Sequence, residues 1–235
     1  MSNYGVAAVE KALGLLDCFK LGAESHTQAD LAQLSGMHKT TVFRLLNSLE
    51  RMNYVVRAAD GRYYLGPQLL YLGKVYEQSF HLGRIVQPVL DKLAADTGES
   101  ASYYVLHDNQ RLCLFRAEVS QVLRDTTLPG TRRPLDKSAI GTVIRLWGLN
   151  EIQETAAPAL PLFSSGVRDQ HMGSIAAPVF GNGRQFYGAL TLSGPASRLE
   201  VMDKKKVGAV LLENALALSR NLGADLEYCR SVYGS

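Results

Sequence analysis

The sequence predicts an α+β protein. It has an N-terminal winged helix-turn-helix, a connector helix, and a second domain built on an antiparallel sheet flanked by helices. Three observations support this. Residues 26–66 hold two short helical patterns joined at Gly36, then a β-prone hairpin with Asp60-Gly61 at its tip. From residue 101 onward, strand patterns follow one another directly with helical patterns at both ends, which marks an antiparallel sheet rather than alternating β-α units. Between the two parts, Leu69, Leu70, Leu72, Val75 and Tyr76 give one helical stripe.

In chain order, Val6, Val9, Leu13 and Leu16 recur at helical spacing and predict a first helix packed on the next two. Thr27 precedes a polar–apolar helical pattern and has Asp30 three residues on, the spacing of a capping box. Leu31 and Leu34 give that helix an apolar side. Gly36 stops it, because glycine reaches positive φ at little steric cost. Val42, Leu45, Leu46 and Leu49 form the buried stripe of the next helix, while Lys39, Thr40, Thr41, Phe43 and Arg44 begin its opposite face. A recognition helix needs this division, with apolar residues holding it in the domain and N-terminal polar residues reaching bases and phosphates. Residues 54–56 and 62–64 flank Asp60-Gly61 and predict a hairpin closed by a type I′ turn.

Further on, Pro88 predicts a helix that begins just before it and runs through Leu90, Leu93 and Ala94 to a stop at Gly98. ASYYVLHD (101–108), RLCLFRAEV (111–119) and QVLRDTTL (121–128) read as strands, with a turn at Asp108-Asn109. Residues 135–149 read as a helix, Asn182-Gly183 as a hairpin tip, and 199–222 as one long amphipathic helix. The resulting domain plan is 1–66 for the winged helix-turn-helix and 67–80 for the connector. Residues 81–223 form the second domain and 224–235 a C-terminal tail.

Composition narrows the function classes. Hydrophobic residues make up 46% of the 235 and the net charge is only +3, so bulk charge does not point to nucleic acid. Its distribution does: from Lys39 to Tyr64 five basic residues face two acids, whereas residues 1–38 carry two lysines and four acids. Positive charge on the recognition helix and wing suits a phosphate-facing surface. No apolar run is long enough for a transmembrane helix, and the N-terminus lacks the basic start of a signal peptide, so a cytoplasmic protein is expected. Cys18, Cys113 and Cys229 are scattered and odd in number, which argues against disulfides or a zinc site. No His-Glu-x-x-His, nucleophile elbow, Walker loop or dinucleotide fingerprint occurs. An enzyme, a catalytic residue, a metal and a cofactor are therefore not expected.

Four segments, ADLAQLSGMHKTTVFRLLNSLERMNYV, YYLGPQLLYLG, RPLDKSAIGTVI and SIAAPVFGNGRQFYGALTLSGPASRL, taken in this order, resemble the IclR-type bacterial transcription regulators over nearly the whole chain. The resemblance implies a double-stranded DNA operator as partner. It also implies a GAF/PAS-like C-terminal domain that binds a small-molecule effector, and a homodimer or dimer of dimers acting as repressor or activator. Lys39, Thr40, Thr41 and Arg44 match the family's recognition-helix segment and Phe43 its aromatic position, while Arg57 and Arg62 fall on the wing as backbone or minor-groove contacts. The effector pocket corresponds to Ser138, Ala139 and Ile140 and to Ser174 and Ile175. Arg132, with Arg133, lies just upstream and adds charge for a carboxylate. The effector implied is a small organic or aromatic acid. One departure is clear: the segment between Trp147 and Gly173 is shorter than in the family and rich in Ala and Pro, and the acidic stretch that ends it in the family is represented by Asp169. Two other readings stay open, a second domain that serves dimerisation without ligand, and a helix-turn-helix used for protein interaction.

Overall fold

The computed structural model describes residues 5–20, 22–79, 81–151, 158–167 and 169–234. Contacts divide it into two units, Met1–Phe80 and His81–Ser235, each with its own hydrophobic cluster. The first unit runs α1 (Ala7–Leu16), β1 (Ser25–His26), α2 (Gln28–Ser35), α3 (Lys39–Arg51), β2 (Val55–Arg57), β3 (Tyr63–Leu65) and α4 (Pro67–Ser79).

The predicted capping box forms at the start of α2: Asp30 N–H donates to Thr27 Oγ1 at 3.2 Å, and Thr27 N–H donates to Asp30 Oδ2 at 2.9 Å. The Thr27 backbone bond holds the Asp30 carboxyl below its ordinary range. Gly36 ends α2 in the left-handed region at φ 67°. Leu15, Leu31, Val42, Leu46 and Val55 are buried together, so α1, α2, α3 and the wing share one core. The predicted face of α1 is corrected: Leu15 is the buried residue, while Val9 and Leu13 are 54% and 56% exposed.

The wing gains a strand that the sequence reading lacks. β1 pairs Ser25 with Tyr64 and His26 with Tyr63, which gives a three-stranded sheet in the order β1-β3-β2. Two residues are too short for periodicity to register. The wing turn also differs from expectation. Gly61 N–H donates to Ala58 C=O at 3.0 Å, and Gly61 alone takes positive φ, at 81°. A type I′ turn needs positive φ at both central residues. That demand is met instead at Asp108-Asn109, with φ of 49° and 55°.

The second unit runs α5 (His81–Thr97), β4 (Ser100–His107), β5 (Gln110–Ala117), β6 (Arg132–Pro134) and α6 (Ala139–Val143). A π-helical turn follows (Ile144–Gly148), then β7 (Leu162–Ser165), β8 (Met172–Gly181), β9 (Gln185–Pro195), α7 (Ala196–Val201), α8 (Lys204–Asn221) and α9 (Leu226–Tyr233). The six strands form one antiparallel sheet in the order β6-β5-β4-β9-β8-β7, so the expected α+β class holds.

Five expectations need correction. α5 starts at His81 and carries Pro88 inside it, because Val86, Leu90 and Leu93 bury against the core while Pro88 sits on the exposed side. There the missing N–H and the carbonyl it leaves behind are open to water. Residues 121–128 form no strand. Asp125 and Thr127 are buried and tied to each other, Asp125 also to Arg116, while Val122 is 98% exposed, so side-chain bonds rather than a ladder hold this segment. The helix expected over 135–149 begins only at Ala139, since Asp136 accepts Ser138 N–H in a preceding loop. Residues 199–222 break in two where the Asp203 carboxylate caps α8 by accepting from Lys205 and Lys206 N–H. The stretch read as a tail contains α9, capped by Asp225 and buried at Cys229 and Tyr233. The departure between Trp147 and Gly173 lies in part outside the described residues, at 152–157 and 168.

Tyr233 closes a buried network: its hydroxyl donates to Pro178 C=O at 2.8 Å and lies 3.1 Å from Ser219 Oγ, which accepts Phe180 N–H. Tyr233→Phe leaves Pro178 C=O without this donor and is expected to cost about 1–3 kcal/mol. Urea unfolding followed by circular dichroism checks it. An unchanged midpoint denies α9 this role.

Candidate functional site

The DNA-facing candidates lie on α3 and the wing. The buried stripe of α3 is Val42, Leu46 and Leu49, and Lys39, Thr40, Phe43 and Arg44 are exposed on the remaining surface, with Thr41 half-buried. Phe43 is 45% exposed, so it is not consumed by the core. Gln28 Nε2 donates to Lys39 C=O at 3.0 Å and so ties the start of α2 to the start of α3. On the wing, the exposed Arg57 guanidinium sits 5.6 Å from the Tyr63 ring centroid. Arg62 is placed differently: its Nε and Nη2 donate to Ser25 Oγ and Ser25 C=O at 2.9 and 2.8 Å. It pins the wing to β1.

The second unit contains a pocket of about 50 Å³, partly open to solvent, between the sheet and the start of α6. Its position follows from the two-residue repeat of a strand. Ser174 pairs with Ser193 and Ala176 with Thr191, while Ile175 pairs with Leu192 and Ala177 with Leu190. Opposite residues share a face, so one face is apolar and enters the core, and the other carries hydroxyls. Thr191 and Ser193 line the cavity with Tyr104 and Ser174.

Of the pocket residues expected from sequence, the structure brings together Ser138, Ile140 and Ser174. It does not place Ala139, Ile175 or Arg132 on the wall. Ile175 is fully buried on the other face of β8, one residue out of phase with Ser174. Arg132 is exposed on β6 and paired with Leu112. Ala139 contributes through its backbone, its N–H donating to Ser164 Oγ at 2.8 Å.

Sequence reasoning misses Arg111, Asp125, Ser164 and Ser193. Arg111 Nη1 and Nη2 donate to Asp136 Oδ1 and Oδ2 at 3.2 and 2.7 Å, and Nη1 also donates to Ser138 Oγ at 2.6 Å. Ser138 Oγ in turn bonds Asp136 and accepts Gly141 N–H, which caps α6. Burial works against the Asp136 carboxylate, but Ser138 and the Arg111 charge outweigh it and hold the carboxyl below its usual range. Asp125 stands 6% exposed in the segment 121–128. Burial again opposes its charge, and the Thr127 hydroxyl, the Arg116 guanidinium and Ser193 more than offset it, so its carboxyl too lies low. Arg116 is itself fixed by donating to Ser102 Oγ and Asp125 C=O. Burial pushes the Tyr104 phenol well above its ordinary value, which keeps it an O–H donor. The Cys113 thiol is pushed up to about 11, chiefly by burial, and so stays protonated. Alternation of Ser and Thr with apolar residues in β8 and β9 is the one signal that could have found Ser193.

An α3 with an exposed basic face on a winged helix-turn-helix, joined to an α+β sheet unit, fits the class of DNA-binding regulators. The IclR helix-turn-helix domain matches residues 8–59. The DNA-binding transcriptional repressor YiaJ of Escherichia coli is 30% identical, covering 83% of this chain and 80% of that protein. KipR of Bacillus subtilis, an HTH-type transcriptional regulator, is 26% identical over 92% of this chain and 96% of its own. Among solved structures, an IclR transcriptional regulator from Silicibacter sp. superposes with a TM-score of 0.79 at 26% identity, covering 93% and 97% of the two chains. The chain belongs to the IclR family of transcriptional regulators. Among the described residues no helix is long and apolar enough to cross a membrane.

The low Asp125 carboxyl fixes a sign for pH dependence. A folded-state pKa below the unfolded one contributes stability above the unfolded value, about pH 4, which is lost as pH falls through the folded value. Asp125→Asn is therefore expected to cost about 1.5–3 kcal/mol at pH 7 and much less near pH 3. Urea titrations at the two pH values test it. A gap independent of pH denies that the charge matters.

Proposed function

We propose that the protein is a sequence-specific DNA-binding regulator whose operator affinity responds to a small molecule held in the cavity of the second unit. The observation that carries the first half is the face of α3. It combines exposed Lys39, Thr40 and Arg44 with a fully buried Val42 and Leu46 behind them. Lys39, Thr40, Thr41 and Arg44 act as phosphate and base-edge contacts, and Phe43 gives an apolar contact beside them. Arg57 reaches the backbone from the wing, and Arg62 acts by holding the wing to Ser25. The protein works as a homodimer, or as a dimer of dimers, presenting two recognition helices to half-sites about 34 Å or a multiple apart. Exposed Leu70 and Tyr71 on α4, at 69% and 63%, support an apolar surface for the second copy. The protein acts inside the cytoplasm, where its operator is.

The second half is supported by a sheet face that is buried yet carries hydroxyls instead of hydrocarbon. A ligand changes repression only if it binds the DNA-competent and incompetent arrangements with different affinity. Ser138, Ile140 and Ser174 are the sequence-predicted residues that touch it. Ala139 positions Ser164, and Arg132 stands outside.

Arg44→Ala is expected to weaken operator binding at least about fivefold, and Lys39→Ala to lower the salt slope by about 1, with the fold intact by circular dichroism. Fluorescence anisotropy on upstream DNA across a salt series measures both. Unchanged affinity in a folded Arg44→Ala protein removes α3 from the interface. Ser174→Phe fills the cavity and is expected to abolish effector response while operator affinity stays within about twofold of the parent. A surviving response moves the effector elsewhere.

A further inference from the structure

We infer that the cavity takes a short, uncharged, hydroxyl-bearing ligand, a polyol of three or four carbons, in preference to a carboxylic acid. This rests on reading the cavity as the effector site. Three observations lead to it.

First, the positive charge on the wall is already answered. Arg111, the cation that an acid would seek, is held by both oxygens of Asp136 and by Ser138. An anionic ligand has to compete with a carboxylate already in bidentate contact, the strong geometry for a guanidinium. Arg132 is exposed on β6, away from the cavity.

Second, a negative charge, Asp125, borders the cavity beside Arg111. Asp125 is 6% exposed and lines the wall, with its carboxyl held low by Thr127, Arg116 and Ser193 against the effect of burial. A buried carboxylate repels a second anion and accepts hydrogen bonds from hydroxyls.

Third, the remaining polar wall is made of hydroxyls: Tyr104, Ser164, Ser174, Thr191 and Ser193. Ser164 and Ser174 lie 3.0 Å apart, Oγ to Oγ, and Thr191 Oγ1 donates to Ile175 C=O at 2.8 Å. Thr191, with its proton given to Ile175 C=O, can accept, and the Tyr104, Ser174 and Ser193 hydroxyls can donate or accept, so the wall offers both roles to a polyol. A volume of about 50 Å³ holds about four water-sized centres. That is the scale of a three- or four-carbon chain.

The test uses the full-length protein, purified without glycerol, in isothermal titration calorimetry. The probes are glycerol, erythritol, pyruvate and 4-hydroxybenzoate. Glycerol and pyruvate have the same number of non-hydrogen atoms and differ in charge. The expected result is uptake of glycerol or erythritol with affinity at least about tenfold above that for pyruvate. Asp125→Asn should weaken polyol uptake about tenfold and narrow the gap to pyruvate, and Ser193→Ala should weaken it with the charge left in place. Tighter binding of either acid overturns the inference, as does failure of both polyols to bind. An Asp125→Asn protein with polyol affinity and preference intact also overturns it. Operator binding on the same samples separates this from the regulator reading. Operator binding without polyol uptake removes the ligand class and leaves the regulator standing. Polyol uptake without operator binding upholds the ligand class and removes the regulator.

Discussion

The pleat of β8 and β9 is the constraint on which the second unit depends. Because successive side chains point to opposite faces, each strand must serve two environments at once. Ile175, Ala177, Leu190 and Leu192 answer to the core, and Ser174, Thr191 and Ser193 to the cavity. Neither set can move without the other. A shift of one residue in register would send leucines into the cavity and hydroxyls into the core. The hairpin at Asn182-Gly183 and the pairing of Gly173 with Gly194 hold that register from both ends.

A buried hydroxyl-rich face is costly unless its groups are paired. The chain meets this with short-range chemistry. Arg111 joins β5 to the loop before α6 through Asp136 and Ser138, and Arg116 joins β5 to the 121–128 segment through Asp125. Ser138 serves both as the cap of α6 and as a partner of Arg111. The N-terminal unit follows the same economy in simpler form. Its capping box starts α2, Gly36 turns the chain, and Arg62 ties the wing to Ser25, so that the exposed side of α3 stands on a braced support.

Legibility in the sequence followed the length and regularity of each signal. The α2–α3 pair was readable because a capping box, a left-handed glycine and a four-residue apolar stripe agree with one another. The hairpins were readable from Asp-Asn and Asn-Gly. What escaped was local competition. Asp203 splits a helix whose apolar periodicity runs on past it, and Asp125 and Thr127 tie up a segment that reads as a strand. At the cavity, Ser138 and Ser174 came through the family resemblance, whereas Arg111 and Asp125 act across 25 and 9 residues of sequence through side-chain bonds that no periodicity encodes. Arg132 misled because a basic residue near a pocket in sequence need not face it. Arg111, on the directly paired strand β5 and opposite Arg133, does.

The cavity wall and the start of α6 behind it contain positions of two kinds. A Cβ at Gly141 would lie 2.3 Å from the Asp136 carbonyl oxygen, and one at Gly173 would lie 3.0 Å from Leu199 Cδ1. Side chains there disturb the backbone frame. Ser164, Ser174 and Ser193 impose no such demand, because exchanging serine for alanine removes a single oxygen and leaves the pleat alone. The pocket is therefore a fixed frame with replaceable tiles. The wall can therefore change through a few hydroxyl exchanges while the folded scaffold and the exposed face of α3 stay as they are.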